Sequence, residues 1–258
     1  MTTGLDFTPG SGPAPRGARI RAHARLEASL TARNGEQLLL ALVIPLGLLV
    51  AWRFLVPSGL LDPETFPASV LALAVWSTGF TSLAITTAFE LRYGVLERLA
   101  ATPLTRGDLV LGKAAATAAI ALVQVLVLAA AALVLGWRPG GAGAASFGWG
   151  GVAGVGGLAL AIVGAVLALI VFASWALIIG SRLRAELVLA VANLVYLAGA
   201  AFGGIVVPSP AWWLPTAALG DLLRGTAVGW TPLWPLAILA CWAAGSALIA
   251  RKVFRWVS

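Results

Sequence analysis

Charged residues are scarce in this chain of 258 residues: they make up 10% of it, whereas hydrophobic residues make up 60%. A soluble domain carries about 25% charged residues, because its surface faces water. The scarcity of charge therefore excludes a soluble globular protein and indicates an integral membrane protein. Six membrane spans of about 20 residues each, together with their short connections, would use nearly the whole chain, which leaves little room for a soluble catalytic domain.

Cysteine and histidine are nearly absent, with one residue of each type. Cys241 falls inside the last apolar run, which excludes a disulfide framework and a cysteine metal cluster. His23 has no carboxylate or cysteine at ligand spacing, and neither a Gly-x-Ser-x-Gly nor a His-Glu-x-x-His pattern occurs. We therefore expect no catalytic residue, no metal site and no cofactor site in this chain.

Six apolar runs reach or pass the ~20 residues that a helix needs to cross ~30 Å of hydrocarbon. They are rich in Ala, Leu and Val and show no polar alternation at period two, which argues against a membrane β-barrel. We predict an all-α integral membrane protein whose six transmembrane helices lie within residues 37–250. The predicted spans are residues 37–56, 67–89, 113–137, 151–180, 187–207 and 231–250.

The basic residues are segregated between alternating loops. Only Arg53, Arg138 and Arg224 lie on one side of the predicted spans, and the other 14 of the 17 lie on the opposite side. Cytoplasmic loops have the excess of Lys and Arg, so the pattern predicts that both termini are cytoplasmic. It also excludes a nucleic-acid partner, which needs one continuous basic stripe with stacking aromatics. The 14 residues are Arg16, Arg19, Arg21, Arg25, Arg33, Arg92, Arg98, Arg106, Lys113, Arg182, Arg184, Arg251, Lys252 and Arg255.

The segment before the first span predicts a disordered tail and then an amphipathic helix. Residues 1–17 are rich in Gly, Pro, Ser and Thr, which is typical of disorder. Residues 18–36 form a predicted interfacial helix that breaks at Asn34-Gly35. It either anchors the chain to membrane lipids or contacts a partner. At 100° per residue one side has Arg21, Arg25, Ser29 and Arg33, and the other has Ile20, His23, Leu26 and Leu30.

The run from Gly107 to Lys113 matches a phosphate-binding loop as far as its lysine. The next residue is Ala114, where a phosphate loop needs Ser or Thr to ligate magnesium, and the run leads into a predicted membrane helix instead of following a strand. We therefore predict no nucleotide site here. Lys113 is expected to snorkel to the cytoplasmic surface and to help set the topology.

The charged loop at residues 90–112 is predicted to be ordered. Leu91, Val95 and Leu99 recur every four residues, which indicates a short amphipathic helix at the membrane surface. Thr102-Pro103 ends it, because the residue before proline disfavours the helical conformation. Thr105 and Asp108 are spaced as a capping box that begins the third span.

This loop resembles the cytoplasmic loop of type-2 ABC transporter permeases. The residues that support the resemblance are Glu90-x-Arg92-x-Gly94-Val-Leu-Glu97-Arg98-Leu-x-x-Thr102-Pro103-Leu-x-Arg106, closed by Gly112-Lys113. A later run, Leu214-Pro215-x-x-Ala-Leu-x-Asp-Leu-Leu-Arg224-Gly225, is similar to the segment that precedes the last span in that family. The resemblance covers essentially the whole chain and extends to drug-efflux permeases of the daunorubicin-resistance kind.

The resemblance implies a permease subunit of an exporter in a bacterial plasma membrane. Such a subunit pairs with a second permease subunit and with two separate ATP-binding-cassette subunits, which bind the ATP and Mg. It also implies that the interfacial helix, with Arg21, Arg25 and Arg33, and the short loop helix dock the ATPases. The candidate coupling residues are Glu90, Arg92, Tyr93, Gly94, Glu97, Arg98, Thr102, Pro103 and Arg106.

The remaining segments indicate the transport pathway and the competing functions. For residues 208–230 the resemblance implies short re-entrant helices that cap the outer mouth, and the alternative is a plain interfacial loop. Gln124 and Asn193 are the main polar residues inside the spans, which fits a hydrophobic or amphiphilic substrate, a drug or a lipid-like compound. Residues 251–258 form a predicted cytoplasmic tail. The competing functions are a secondary transporter without an ATPase partner and a membrane-embedded enzyme or assembly factor.

Overall fold

The computed structural model describes residues 12–57, 61–139, 152–229 and 232–254, and most of these are helical. A π-helix, Ser77–Ser82, joins the helices Phe66–Trp76 and Leu83–Arg92 without a break. The helices are α1 (Arg16–Arg33), α2 (Gly35–Phe54), α3 (Phe66–Trp76), α4 (Leu83–Arg92), α5 (Val95–Ala100), α6 (Arg106–Val134), α7 (Val152–Arg182), α8 (Ala185–Phe202), α9 (Pro215–Ala227) and α10 (Trp234–Val253).

Five helical segments of the described chain are long and apolar enough to cross a membrane. They are the continuous segment Phe66–Arg92 and helices α6, α7, α8 and α10, which correspond to the predicted second to sixth spans. The predicted first span is α2, in which Ala41–Phe54 forms a shorter apolar helix. The all-α membrane class is therefore confirmed, whereas the count of six spans stays a prediction.

Some predictions fall partly outside the described residues. These are residues 1–11 of the predicted disordered tail, the start of the fourth span at residue 151, the start of the sixth at residue 231, and residues 255–258 of the predicted cytoplasmic tail. The predicted interfacial helix corresponds to α1, which begins two residues earlier than predicted, at Arg16, and ends at Arg33. Asn34 separates α1 from α2, where the sequence predicts a break.

The core of the bundle is built around α7, which packs against α4, α9 and α10. An aromatic cluster fills its centre: the Trp76 ring stacks on Phe80 with centroids 4.5 Å apart and meets the edge of Phe172 at 4.6 Å. Gly180 lets α7 approach α4 closely, because a Cβ at that position would lie 2.7 Å from the carbonyl oxygen of Ala84. Small residues at helix crossings serve the same purpose in other membrane bundles.

One end of the bundle collects the basic segments that the sequence places on one side. Arg92, at the end of α4, forms an ion pair with Glu186, at the start of α8. Arg182, at the end of α7, donates two hydrogen bonds to the carbonyl oxygen of Val253, at the end of α10. We call this the basic end; the starts of α1 and α6 also lie there, as the contacts below demonstrate.

Helix α9 is almost wholly buried between α3, α7 and α10, at the opposite end of the bundle. Its Arg224 donates hydrogen bonds to the carbonyl oxygens of Gly204 and Ile205 at 2.8 and 2.9 Å and to Oγ of Ser69 at 3.1 Å. A carboxylate oxygen of Asp221 lies 2.6 Å from the same guanidinium. The arginine thereby joins α9 to α3 and to the turn after α8, a role that the sequence did not indicate.

Candidate functional site

The charged loop at the basic end is a folded helix–turn–helix, as the sequence predicts. Gly94 ends the α4 segment by adopting the left-handed conformation, with φ +66°, which glycine enters without steric cost. Helix α5 follows at once and is anchored by Leu96, which is fully buried. Helix α5 ends at Ala100. Just after it, Thr102 donates a hydrogen bond from Oγ1 to the carbonyl oxygen of Leu99 at 2.6 Å. A short helix thus lies where the sequence predicts one, but it begins only at Val95, because the turn at Gly94 leaves Leu91 in α4; its location at the membrane surface stays a prediction.

The start of α6 is fixed by the predicted capping box. The backbone N–H of Asp108 donates to Oγ1 of Thr105, and the backbone N–H of Thr105 donates to a carboxylate oxygen of Asp108, each at 3.2 Å. Two of the backbone donors that a helix start leaves unsatisfied are thereby paired. The turn between α5 and α6 consequently has a defined geometry.

Most of the candidate coupling residues lie on the exposed surface of this loop. Gly94 is half-buried, and Glu90 is half-buried with its carboxylate directed into the bundle. The basic stripe of α1 is exposed as well, at Arg21, Arg25 and Arg33. The exposed loop residues are Arg92, Tyr93, Glu97, Arg98, Thr102, Pro103 and Arg106.

Helix α1 packs along the first turns of α6 through a series of polar contacts. The first involves Asp108, whose side chain is fully buried. Arg16 Nε lies 2.8 Å from one of its carboxylate oxygens, and Arg19 Nη2 lies 3.0 Å from the other. The capping carboxylate of α6 therefore also holds the first turn of α1, and such charge-assisted bonds are stronger than bonds between neutral groups.

The second contact depends on Gly112. A Cβ at this position would lie 2.4 Å from Cδ2 of His23, so only glycine allows the imidazole ring to pack against the α6 backbone. His23 is 4% exposed, and its Nε2 lies 3.4 Å from Oε1 of Glu27, one turn further along α1. Burial lowers the pKa of His23, partly offset by the nearby Glu27 carboxylate. Glu27, four residues after His23, is thus a carboxylate at ligand spacing, and the expectation that there is none is wrong.

The third contact joins three helices. The Lys113 ammonium lies 2.9 Å from Oε1 of Glu27 on α1 and 2.7 Å from Oε1 of Glu90 on α4. Lys113 is 1% exposed, so the prediction that it snorkels to the membrane surface is wrong. A charge buried this deeply needs opposite charges within hydrogen-bonding distance, and the two glutamates supply them.

These three contacts explain the run that resembles a phosphate-binding loop. Residues 107–113 form the first turns of α6, and Asp108, Gly112 and Lys113 all lie on the side of it that meets α1. The partners on α1 ascend in the same order, from Arg16 through His23 to Glu27. The polar contacts therefore advance along both helices in the same direction from the basic end.

Gln124 and Asn193, the polar residues that the sequence singles out within the spans, each form a hydrogen bond. Gln124 donates from Nε2 to the carbonyl oxygen of Ala41 at 2.7 Å and accepts a hydrogen bond from Thr78 of the π-helix. Asn193 donates to the carbonyl oxygen of Leu189, in its own helix, at 2.8 Å. The π-helix thus presents Thr78 to the main polar side chain of α6, an element of the site that the sequence did not predict.

The comparisons with known proteins agree with this architecture. The sequence profile of the ABC-2 type transporter family matches residues 19–218, which include most of α1, the α4–α6 loop and most of the bundle. No curated protein matches the chain.

Proposed function

Because the chain belongs to the ABC-2 type transporter family and is thus a permease subunit of an ABC transporter, we propose that it serves an ATP-driven exporter. Members of this family are membrane transport components without an ATPase site of their own. ATP and Mg would accordingly bind to two separate ATP-binding-cassette subunits. A second permease subunit, identical or different, would complete the membrane part.

The observation that best supports ATP coupling is the physical link between the exposed loop and the bundle. The loop offers Tyr93, Arg98 and Pro103 to a partner at the basic end. Glu90, which ends the membrane segment just before this loop, is held by Lys113, and Lys113 is held by Glu27 of α1. A displacement of the loop by a motor would therefore move α1, α4 and α6 together.

The exposed arginines of α1 complete the proposed docking surface. Arg21, Arg25 and Arg33 are exposed, and α1 forms its polar contacts with α6, the helix that follows the loop. The interfacial helix and the loop helix would then act as one rigid platform under the ATPases. The bacterial plasma membrane is the proposed location, with the basic end and both termini in the cytoplasm, because cytoplasmic loops have the excess of Lys and Arg.

The proposed substrate is a hydrophobic or amphiphilic compound, such as a drug or a lipid-like molecule. Gln124 and Asn193, the main polar side chains within the spans, already donate hydrogen bonds to backbone carbonyl oxygens. An ion pathway normally provides polar groups that replace the hydration shell of the ion, and these two side chains have little capacity left to do so. For the outer segment we propose that the buried helix α9 is a re-entrant cap, since backbone at membrane depth must be covered by protein.

A secondary transporter is the second candidate, because Glu27, Glu90 and Lys113 form a buried ionisable cluster. Proton-coupled carriers keep such groups at the centre of the membrane, next to the substrate. Here the cluster lies within two turns of the starting residue of α6, beside the coupling loop. Its position therefore favours a mechanical role. A membrane-embedded enzyme or assembly factor has no comparable support from the arrangement.

Purification of the full chain from its native membrane in mild detergent tests the proposed function. We expect a cassette ATPase and a second six-span chain to co-purify, and we expect the reconstituted assembly to move an amphiphile only when ATP is present. Transport by the chain alone, driven by a proton gradient without any ATPase, would instead support the secondary transporter. Enzymatic turnover by the isolated chain would support the third candidate.

A further inference from the structure

A cavity of about 320 Å³ lies where the chain turns from α1 into α2, against the flank of α6. It is separate from the polar contacts between α1 and α6. Small side chains create the space, since four of the lining residues are alanines. The lining residues are Ala28, Ala32, Ala41, Leu42, Ala119, Ile120, Val123, Gln124 and Val127.

The walls of this cavity are apolar. Among the lining residues whose side chains the structure describes, Gln124 alone is polar, and both ends of its amide are already used, by the Ala41 carbonyl oxygen and by Thr78. A polar ligand would therefore find no free side-chain partner in the walls. Hydrocarbon is the matching occupant, because burial of apolar surface against apolar walls is favourable.

The cavity is open on the side that faces away from the bundle. Ala119, Val123 and Val127 succeed one another every four residues along α6 and are all exposed. Since α6 is a candidate membrane span, this opening faces the region that the lipid chains occupy. The acyl chain of a lipid can consequently enter the cavity from the surrounding bilayer.

Basic residues stand at the rim of the cavity on α1. At 100° per residue, Arg21 and Arg25 fall on the same side of α1 as Ala28 and Ala32. Arg25 lies about 5 Å before Ala28 along the helix axis, towards the basic end. Both arginines are exposed and form no ion pair in the described part of the chain. The cavity therefore has an apolar interior and a positively charged rim.

We propose that this cavity holds one acyl chain of an anionic phospholipid whose headgroup pairs with Arg21 and Arg25. The site has basic residues followed by apolar walls, and such a lipid has an anionic headgroup followed by an acyl chain, so the two match in order. The inference requires only that the chain lies in a membrane, and it does not depend on ATP coupling.

Photo-crosslinking of the full chain in phosphatidylcholine nanodiscs tests the proposal. The probe is phosphatidylglycerol with a diazirine on its acyl chain, and the labelled peptides are identified by mass spectrometry. We expect labels between Ala119 and Val127 and at Leu42, with a preference over a phosphatidylcholine probe. Ala119→Phe fills the cavity and should abolish this labelling, whereas Ala130→Phe, at an exposed position of the same helix outside the cavity, should retain it.

The charged rim has its own variant. Replacing both arginines with glutamine (Arg21→Gln with Arg25→Gln) should reduce the preference for phosphatidylglycerol by about tenfold or more, because each basic residue near an anionic headgroup adds to binding. Labelling by phosphatidylcholine should stay unchanged in this variant. Equal labelling in Ala119→Phe and wild type, an equal loss in both phenylalanine variants, or an unaltered preference in the glutamine variant would each overturn the proposal.

Discussion

The Nζ atom of Lys113 lies 2.9 Å from Oε1 of Glu27, which joins a candidate membrane span to the helix that precedes the first predicted span. The same ammonium lies 2.7 Å from Oε1 of Glu90, so three helices meet at one buried charge. Because α4 leads into the loop helix and α6 leaves it, the cluster connects both arms of the proposed coupling loop to α1. Any change in the cluster should affect stability and coupling together.

Removal of the central charge is expected to be costly. Lys113→Met should lower the free energy of unfolding by about 3–5 kcal/mol, because it leaves two buried carboxylates without their cation. Adding Glu27→Gln should recover part of the loss by removing one of the orphaned charges. The measurement is unfolding in mixed micelles followed by helical circular dichroism. Arg251→Met, which removes an exposed charge, is the control; similar effects of Lys113→Met and Arg251→Met would refute the buried role.

Gly112 is expected to be intolerant of even a methyl group. Gly112→Ala should lower the free energy of unfolding by about 1–3 kcal/mol, since its Cβ would lie 2.4 Å from the His23 ring. In a His23→Ala background the same change should be neutral or stabilising. Gly245→Ala is the matched control, because a Cβ there meets nothing within 4 Å and the helix gains up to about 1 kcal/mol. An equal loss with and without His23 would contradict the proposed contact.

The packing of α1 is expected to depend on pH through His23, the only histidine in the chain. Burial lowers its pKa, so the unfolded chain takes up a proton before the folded chain does. Stability should therefore be complete above the ordinary histidine pKa of about 6.5 and should fall below it, by at most about 1.4 kcal/mol per pH unit.

His23→Leu is the reference variant, because its acidic residues still titrate. The contribution of His23 is the difference between wild type and this variant in the slope of the free energy of unfolding against pH. Unfolding is measured across this pH range in the same micelles. A steeper loss of stability with falling pH in wild type than in the variant supports the buried neutral imidazole. Parallel curves, or a wild type that becomes more stable in acid, would be inconsistent with it.

Arg224 is expected to need its guanidinium and not only its charge. Arg224→Lys should lower the free energy of unfolding by about 1–3 kcal/mol, because an ammonium cannot reach Ser69 and two carbonyl oxygens as the planar guanidinium does. Arg138→Lys, an exchange at an exposed position, serves as the control. If the two exchanges have the same effect, α9 is not held in the way the contacts indicate.

The sequence predicted the parts of the site that depend on local patterns. The capping box of Thr105 and Asp108 is present as predicted, and a short helix, Val95–Ala100, ends just before Thr102-Pro103. Both features involve residues within a few positions of each other. The all-α membrane class follows from the apolar runs in the same way. Local spacing and capping chemistry were sufficient because no distant partner decides these features.

The parts that the sequence did not predict depend on partners far apart in the chain. Lys113 is 86 residues from Glu27, and without that partner a lysine at the start of a span is normally a snorkelling residue. Gly112 lies in the run that resembles a phosphate-binding loop, but the structure shows that it makes room for His23. One sequence pattern could have indicated this contact. Polar residues recur every three or four positions in α1, at Arg16, Arg19, His23 and Glu27, and they contact the polar side of α6 in the same order.

The loop helix α5 is proposed to transmit force from separate ATPases to the membrane helices. Reconstituted vesicles with the full assembly allow ATP hydrolysis and substrate transport to be measured in one sample. The change is Arg98→Glu on the exposed side of α5, with Arg138→Glu at the opposite end of the bundle as the charge-matched control. We predict that Arg98→Glu inserts and folds normally but hydrolyses ATP without transport, whereas the control does both. Normal substrate-stimulated transport by Arg98→Glu would contradict the account.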